Sequence, residues 1–295
     1  MRTVLITGCS SGFGFQAAQV LGERGDTVYA TMRDPDGKNA GPAGELRQFA
    51  TDKGADIRVL DLDVMSDDSV AAAAAAVAAD GRTADVVINN AGQMFVGLTE
   101  AFSGEEVARQ LDVNVVGVHR VNRAFLPAMR EQGSGLFINV TSIAGRIAIP
   151  FFAIYHASKW GLEGYSLGMR RELASCGIDV VVVEPGPFTT ELFGQSPRPE
   201  DADGRADTYP AVVGEQFDGM NEAFNQMFDS PDVPTDPIDV VNRFVELIDM
   251  PAGSRPFRSP VGVDLGVRER NASDEAHDPA FLESMGLTEF ATLKT

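Results

Sequence analysis

Six short apolar runs, rich in β-branched residues, recur along the chain: VLIT (4–7), TVYATM (27–32), DIRVL (56–60), DVVIN (85–89), GLFINVT (135–141) and DVVVVEP (179–185). Several are apolar without alternation, the pattern of strands covered on both faces. The stretches between them, roughly 13–24, 42–53, 67–79, 104–130 and 153–175, carry helical patterns. Repeated strand–helix alternation requires right-handed crossovers and predicts an α/β fold built on a doubly wound parallel sheet. Residues 186–237 read as a less regular insertion, with SPRPEDADGRADTYP as a mobile loop. A helix is expected near 236–250, then RPFRSPVGVD. No linker divides the chain, so residues 1–270 are read as a single domain and 271–295 as a polar C-terminal tail.

With 295 residues, 44% of them hydrophobic and 23% charged, the chain can bury a sizeable core and has an ordinary globular composition. A formal net charge of −19 argues against nucleic acid and against an anionic membrane surface, both of which would repel it. Cys9 and Cys176 lie far apart without metal-ligand spacing, so a reduced, cytoplasmic chain with no metal is expected. The apolar core of MRTVLIT is too short for a signal peptide or a membrane span. The alanine-rich run 71–79 follows Ser66, Asp67 and Asp68, an N-cap with acidic first-turn residues, and reads as a soluble helix.

TGCSSGFG (7–14) follows the first strand and opens the first helix. Gly8, Gly12 and Gly14 allow a tight turn and a close approach to a pyrophosphate, and the helix start among them, around Phe13, offers free N–H groups. In isolation these glycines also suit a plain strand-to-helix turn. Ser10 and Ser11 can add hydroxyl donors. The second strand ends in Met32 and Arg33, where an NAD site usually carries an acidic residue. The Arg33 guanidinium suits a 2′-phosphate and favours NADP(H). Asp34, one residue on, argues the other way, and an exposed Arg–Asp pair in a turn is the bland reading. Asp63 in LDLDV can accept from an adenine amino group or cap the next helix. In INNAG (88–92), Asn90, Ala91 and Gly92 are further cofactor contacts: amides here can tie adjacent strands, and Gly92 lets the backbone approach a ribose.

Tyr155 and Lys159 stand four residues apart, which on a helix puts their Cβ atoms about 5–6 Å apart on one face. A free phenol titrates near pH ~10, and a neighbouring ammonium favours its ionised form. The lysine is thus expected to bring the tyrosine toward a usable acid–base range. Such a pair also occurs by chance on helix surfaces. Ser142 lies just after the fifth strand, at the carboxyl end where α/β sheets bind ligands, and its hydroxyl can donate to a developing oxyanion. Asn114 sits mid-helix, a poor place for asparagine unless its amide has a task, such as holding a water that links Lys159 to solvent.

TGCSSGFG, NNAG, LDVNVVG, Ser142 and YHASK, in this order and spacing, resemble the short-chain dehydrogenase/reductase family, densely over residues 3–192. VYATMRDPD, EPGPFTTEL and RPFRSPVG look most like its NADP-preferring branch of 17-beta-hydroxysteroid and retinol dehydrogenases. The resemblance implies a Rossmann-type sheet and a catalytic tetrad of Asn114, Ser142, Tyr155 and Lys159. Tyr155 would pass the proton, Ser142 polarise the carbonyl, and Lys159 also hold the nicotinamide ribose. Pro185, Gly186 and Thr190 match the piece that meets the carboxamide, and Phe188 departs from the β-branched residue commoner there. The family commonly forms dimers or tetramers through the helices near 104–130 and 153–175, so a homodimer or homotetramer is expected.

Met94, Phe95, Phe151, Phe152, Phe188 and Phe193 suggest an apolar pocket for a hydrophobic or aromatic alcohol or carbonyl compound. His156, His119, His277, Cys9 and Trp160 are read as packing or surface residues. The expected activity is that of an NADP-dependent oxidoreductase interconverting a secondary alcohol and a ketone or aldehyde. A non-catalytic NADP(H)-sensing or scaffold protein on the same fold is the alternative from another class. Dehydration or epimerisation would normally bring a larger substrate domain.

Overall fold

The strands alternate side chains between two buried faces, and that alternation organises the molecule. The computed structural model describes residues 1–294. β1 (Thr3–Ile6), β2 (Thr27–Met32), β3 (Ile57–Asp61), β4 (Val86–Asn89), β5 (Gly135–Val140), β6 (Ile178–Pro185) and β7 (Arg258–Val261) form one sheet in the order β3-β2-β1-β4-β5-β6-β7. All six pairings are parallel. β7 extends the six expected strands by one, at the edge beyond β6.

Val4, Ile6, Val28, Ala30, Val86, Ile88, Val181 and Val183 point to one face. There they meet α1 (Gly12–Glu23), α2 (Ala40–Lys53) and, beyond the irregular region, the helix over Ile238–Asp249. Leu5, Tyr29, Val87, Phe137 and Val180 point the other way, onto α3 (Asp67–Ala79) and the helices that follow β4 and β5. Neither face sees water, so the strands need no polar alternation. Ser66 caps α3 by accepting from Ser69 N at 3.2 Å.

The stretch read as one helix over 104–130 is α4 (Gly104–Leu111) and α5 (Gly117–Gln132), joined by a π-helical turn over Asp112–Val116. One inserted residue does not disturb the apolar period enough to be read from sequence, yet it re-aims Asn114. α6 (Ala153–Leu173) agrees with the expected helix.

The region expected to be irregular holds α7 (Glu191–Gly194), α8 (Ala202–Ala206) and the long α9 (Ala211–Asp229). No residue of α9 is fully buried, and two glycines dilute its apolar stripe, which hid it. α10 (Ile238–Asp249) follows. The stretch read as a polar tail is largely α11 (Val267–Ser284) and a 3₁₀ turn over Thr288–Ala291. Polar anchors replace an apolar face here: Arg146 Nε donates to Asn271 Oδ1 at 2.9 Å, and Arg171 pairs with Asp278 at 3.0 Å. No helix among the described residues is long and apolar enough to cross a membrane.

Candidate active site

The strand order reverses between β1 and β4, and a cavity of about 710 Å³ opens at the carboxyl ends there. The glycine turn after β1 forms one wall. Gly8 has φ +73°, and a Cβ on it would lie 2.8 Å from Ala91 Cα. A Cβ on Gly14 would lie 2.5 Å from both Asn90 Nδ2 and Gly8 O. Only bare backbone fits, so the turn lies flat and directs the α1 N–H groups into the cavity. Asn90 and Ala91 hold that turn. Asn90 Nδ2 donates to Thr7 O at 2.9 Å and Gly8 O at 3.0 Å, and Thr7 Oγ1 accepts from Asn90 N and Ala91 N at 3.0 Å. The strand-tying amide is Asn89, which donates to Asn139 on β5 at 2.8 Å. Ser10, Ser11, Gly12 and Phe13 line the cavity, and Ser11 makes no side-chain capping bond that would occupy its hydroxyl.

Arg33 lines the far end, joined by Lys38, which the sequence reading passed over. The PDG turn, closed by Lys38 N donating to Asp34 at 2.8 Å, is the signal that turns Lys38 toward the cavity. Asp34 is directed into its own loop: it has φ +46°, and its carboxylate accepts from Lys38 N at 2.8 Å. Asp63 lines the cavity, with Oδ1 accepting from Met65 N at 3.0 Å. The cap of α3 belongs to Ser66, so Asp63 is not that cap.

Gly92, Tyr155, Lys159 and Thr190 line the other end. The Asn114 side chain is buried, with Nδ2 donating to Gln93 O at 2.9 Å and Ser158 Oγ at 3.0 Å, and Oδ1 accepting from Gln93 N at 2.9 Å. Its amide is thus occupied by backbone and Ser158, with no direct bond to Lys159. Lys159 Nζ donates to Val140 O at 2.9 Å and lies 5.7 Å from the Tyr155 ring centroid. Burial lowers its pKa to about 8, partly opposed by the Glu163 carboxylate. Burial also pushes the Tyr155 phenol up to about 12, with the Ser142 hydroxyl opposing part of the rise. Burial therefore dominates the Tyr155 phenol here, and the lowering expected from Lys159 does not appear.

Ser142 and Tyr155 share a small cavity of about 110 Å³ with Pro185, Gly186, Phe188 and Thr190. Ser142 Oγ accepts from Ala144 N at 3.1 Å and donates to Pro185 O at 3.3 Å. Gly186 N donates to Val261 O at 2.9 Å, locking this corner to β7. The Phe188 ring is buried edge-on against Phe13 at 5.6 Å, as core packing beneath both cavities.

Met94, Phe152, Phe193 and Phe224 lead from the small cavity into an apolar one of about 760 Å³, where α9 adds Phe217 and Phe228. The three α9 phenylalanines were missed in the sequence. Their spacing of seven and four residues was the available signal. Phe95 is not in the cleft: it stacks on Phe102 at 6.1 Å in a separate buried cluster. His156 accepts from Ile149 N at 2.9 Å and contacts Ala144 O at 2.8 Å, a structural role.

A family model described as short chain dehydrogenase matches residues 2–201. The chain belongs to the short-chain dehydrogenase family. As a member of that family it is an oxidoreductase, and the family's cofactors are nicotinamide dinucleotides. It is 39% identical over 204 residues to 3-ketodihydrosphingosine reductase of Bacteroides thetaiotaomicron, covering 66% of this chain and 70% of the relative. It is also 39% identical to human 17-beta-hydroxysteroid dehydrogenase type 1, covering 64% of this chain and 58% of that relative. A short-chain dehydrogenase crystal structure from Streptomyces avermitilis superposes with TM-score 0.75 at 29% identity, covering 97% of this chain and 98% of that one. Actinorhodin polyketide ketoreductase with NADPH superposes with TM-score 0.69 at 28% identity, covering 88% and 94%. The glycine turn, which admits no Cβ, and the two cations at the far end suit a dinucleotide of this family.

Proposed function

We propose that this short-chain dehydrogenase uses NADP(H) to interconvert a secondary alcohol and a ketone or aldehyde on a hydrophobic substrate. The observation that carries the reading is the shared small cavity of Ser142 and Tyr155, which lies between the dinucleotide-sized cavity and the apolar one. Gly8, Gly12 and the α1 N-terminus would hold the pyrophosphate, Asp63 the adenine end, and Lys159 with Asn90 to Gly92 the nicotinamide ribose. Arg33 and Lys38 are two cations for a 2′-phosphate, and Asp34 is engaged elsewhere. Pro185, Gly186 and Thr190 border the position of the carboxamide.

A bound nicotinamide supplies or accepts the hydride. For reduction, Ser142 donates a hydrogen bond to the substrate carbonyl, and Tyr155 gives its proton to the oxygen as charge grows there. The charged Lys159 stabilises the phenolate that remains. For oxidation the same phenolate takes the alcohol proton. A phenol raised by burial starts protonated, as reduction requires.

The apolar cavity and its aromatic wall favour an apolar substrate body, in keeping with relatives named for a ketosphingoid base and a hydroxysteroid. We take residues 186–237 as the substrate-side insertion of one domain. Val116 and Trp160, exposed by 40% and 48% beside α5 and on α6, suit a homodimer or homotetramer through those helices. Fluorescence titration of NADPH against NADH, followed by a panel of apolar ketones at the nicotinamide absorbance, tests the proposal. Equal affinity for the two cofactors removes the Arg33 argument, and a panel without turnover removes the reaction.

A further inference from the structure

One turn beyond Lys159 on α6, Glu163 is 3% exposed, and Glu184 at the end of β6 is fully buried. Each carboxylate has one anchored oxygen and one free oxygen. Glu163 Oε2 accepts from Arg258 Nε at 3.0 Å, and Glu184 Oε2 accepts from Asn271 Nδ2 at 2.6 Å. The two Oε1 atoms are buried without hydrogen-bond partners. Thr141 is near Glu163, but its hydroxyl donates to Val183 O at 3.1 Å.

Two buried carboxylates, each with an unpartnered oxygen, are costly unless one of them carries a proton. The anchors decide which one carries it. Burial raises both carboxyls, but Glu163 faces the Arg258 guanidinium, which opposes that rise, whereas Glu184 faces a neutral amide and favours the proton. The other charged groups around the pair are Lys159 on α6, Arg146 after β5, Arg258 on β7, and Asp274 and Glu275 on α11. Arg146 is engaged by Asp274, and Glu275 lies 4.0 Å from Arg258. Tyr155, the remaining titratable group beside Lys159, is neutral at physiological pH. Burial and the neighbouring Glu163 charge raise Glu184 to about 8. Glu163 in turn opposes the loss of the Lys159 proton.

We propose that Glu184 carries a proton while Glu163 stays ionised, and that this division lets Glu163 keep the negative charge that holds Lys159 protonated. They are charge-positioning residues acting through the lysine. Asn271 and Arg258 tie the pair to α11 and β7. The proposal rests on the reading of Lys159 given above, and its test separates the two.

Infrared spectroscopy of the wild-type protein reads the Glu184 proton without turnover. A protonated carboxylic acid band is expected at pH 7, fading as pH rises through about 8 and absent in Glu184→Gln. No such band, or one that survives in Glu184→Gln, overturns the pair even if the enzyme is fully active. The pH profile of NADPH-dependent reduction reads the effect on Lys159. Glu163→Gln removes the charge and should move the alkaline limb down by about one pH unit or more. Glu184→Gln offers an amide N–H in place of the proton and should keep the wild-type limb. Equal shifts in the two variants, or none in Glu163→Gln, overturn the link to Lys159. If Glu163→Gln does not fold, the infrared comparison still decides whether Glu184 is protonated. If no substrate turns over, the proposed reaction fails while the infrared result stands.

Discussion

Asn114 Nδ2 donates to Ser158 Oγ at 3.0 Å, tying the π-helical turn to α6 one residue ahead of Lys159. The same amide satisfies both backbone polar groups of Gln93. Asn114→Ala leaves Gln93 N without a partner, while Gln93 O keeps the Gln110 Nε2 donor at 2.8 Å, and should cost about 1–3 kcal/mol of stability. Denaturant unfolding measures it, and a variant as stable as wild type would show that the turn is held by other means.

Tyr155→Phe removes the hydroxyl and little else. Turnover of any active carbonyl substrate should fall by about 10²–10⁴-fold, the usual contribution of a positioned acid–base group. NADPH affinity, read by fluorescence, should stay close to wild type. Full turnover in this variant would assign the proton to another group.

Arg33 and Lys38 face the same end of the dinucleotide-sized cavity. Replacing either with alanine should weaken NADPH by about tenfold or more, from the loss of charge-assisted hydrogen bonds to a phosphate. NADH binding should change little. Parallel losses for both cofactors would mean a structural effect.

Burial of Lys159 and Glu184 gives stability a pH signature. Glu184 is raised from 4.5 to about 8, so its contribution is fully present below 4.5 and is lost as pH rises through about 8. Lys159 is lowered from 10.5 to about 8, so the folded state releases its proton first and stability rises between those values. Relative to wild type, Glu184→Gln should lack the decline between 4.5 and 8, and Lys159→Met should lack the rise between 8 and 10.5. Denaturant unfolding across that pH range checks both signs.

Phe224 borders both the small cavity and the large apolar one. Phe224→Ala should lower kcat/KM for a bulky apolar ketone by about 10–100-fold, mostly through KM, because about 1.5–3 kcal/mol of apolar burial is lost. A small ketone that does not reach α9 should be spared. Equal losses for both substrates would take α9 out of substrate recognition.

The alternation of apolar runs with helical stretches determined six of the seven parallel strands and the position of the glycine turn, because strand burial and helix period are local properties of the chain. The four-residue spacing of Tyr155 and Lys159 likewise determined that they share a helix face. Tertiary structure alone decided how those groups are tuned. The phenol rises because packing removes water from it, the Asn114 amide is aimed by one extra helical residue, and a turn brings Lys38 to the cavity that Arg33 also lines. Glu163 and Glu184 are 21 positions apart, on α6 and β6, which pack together only in the fold. Desolvation and long-range charge depend on everything surrounding a group, and no short stretch of sequence contains that information.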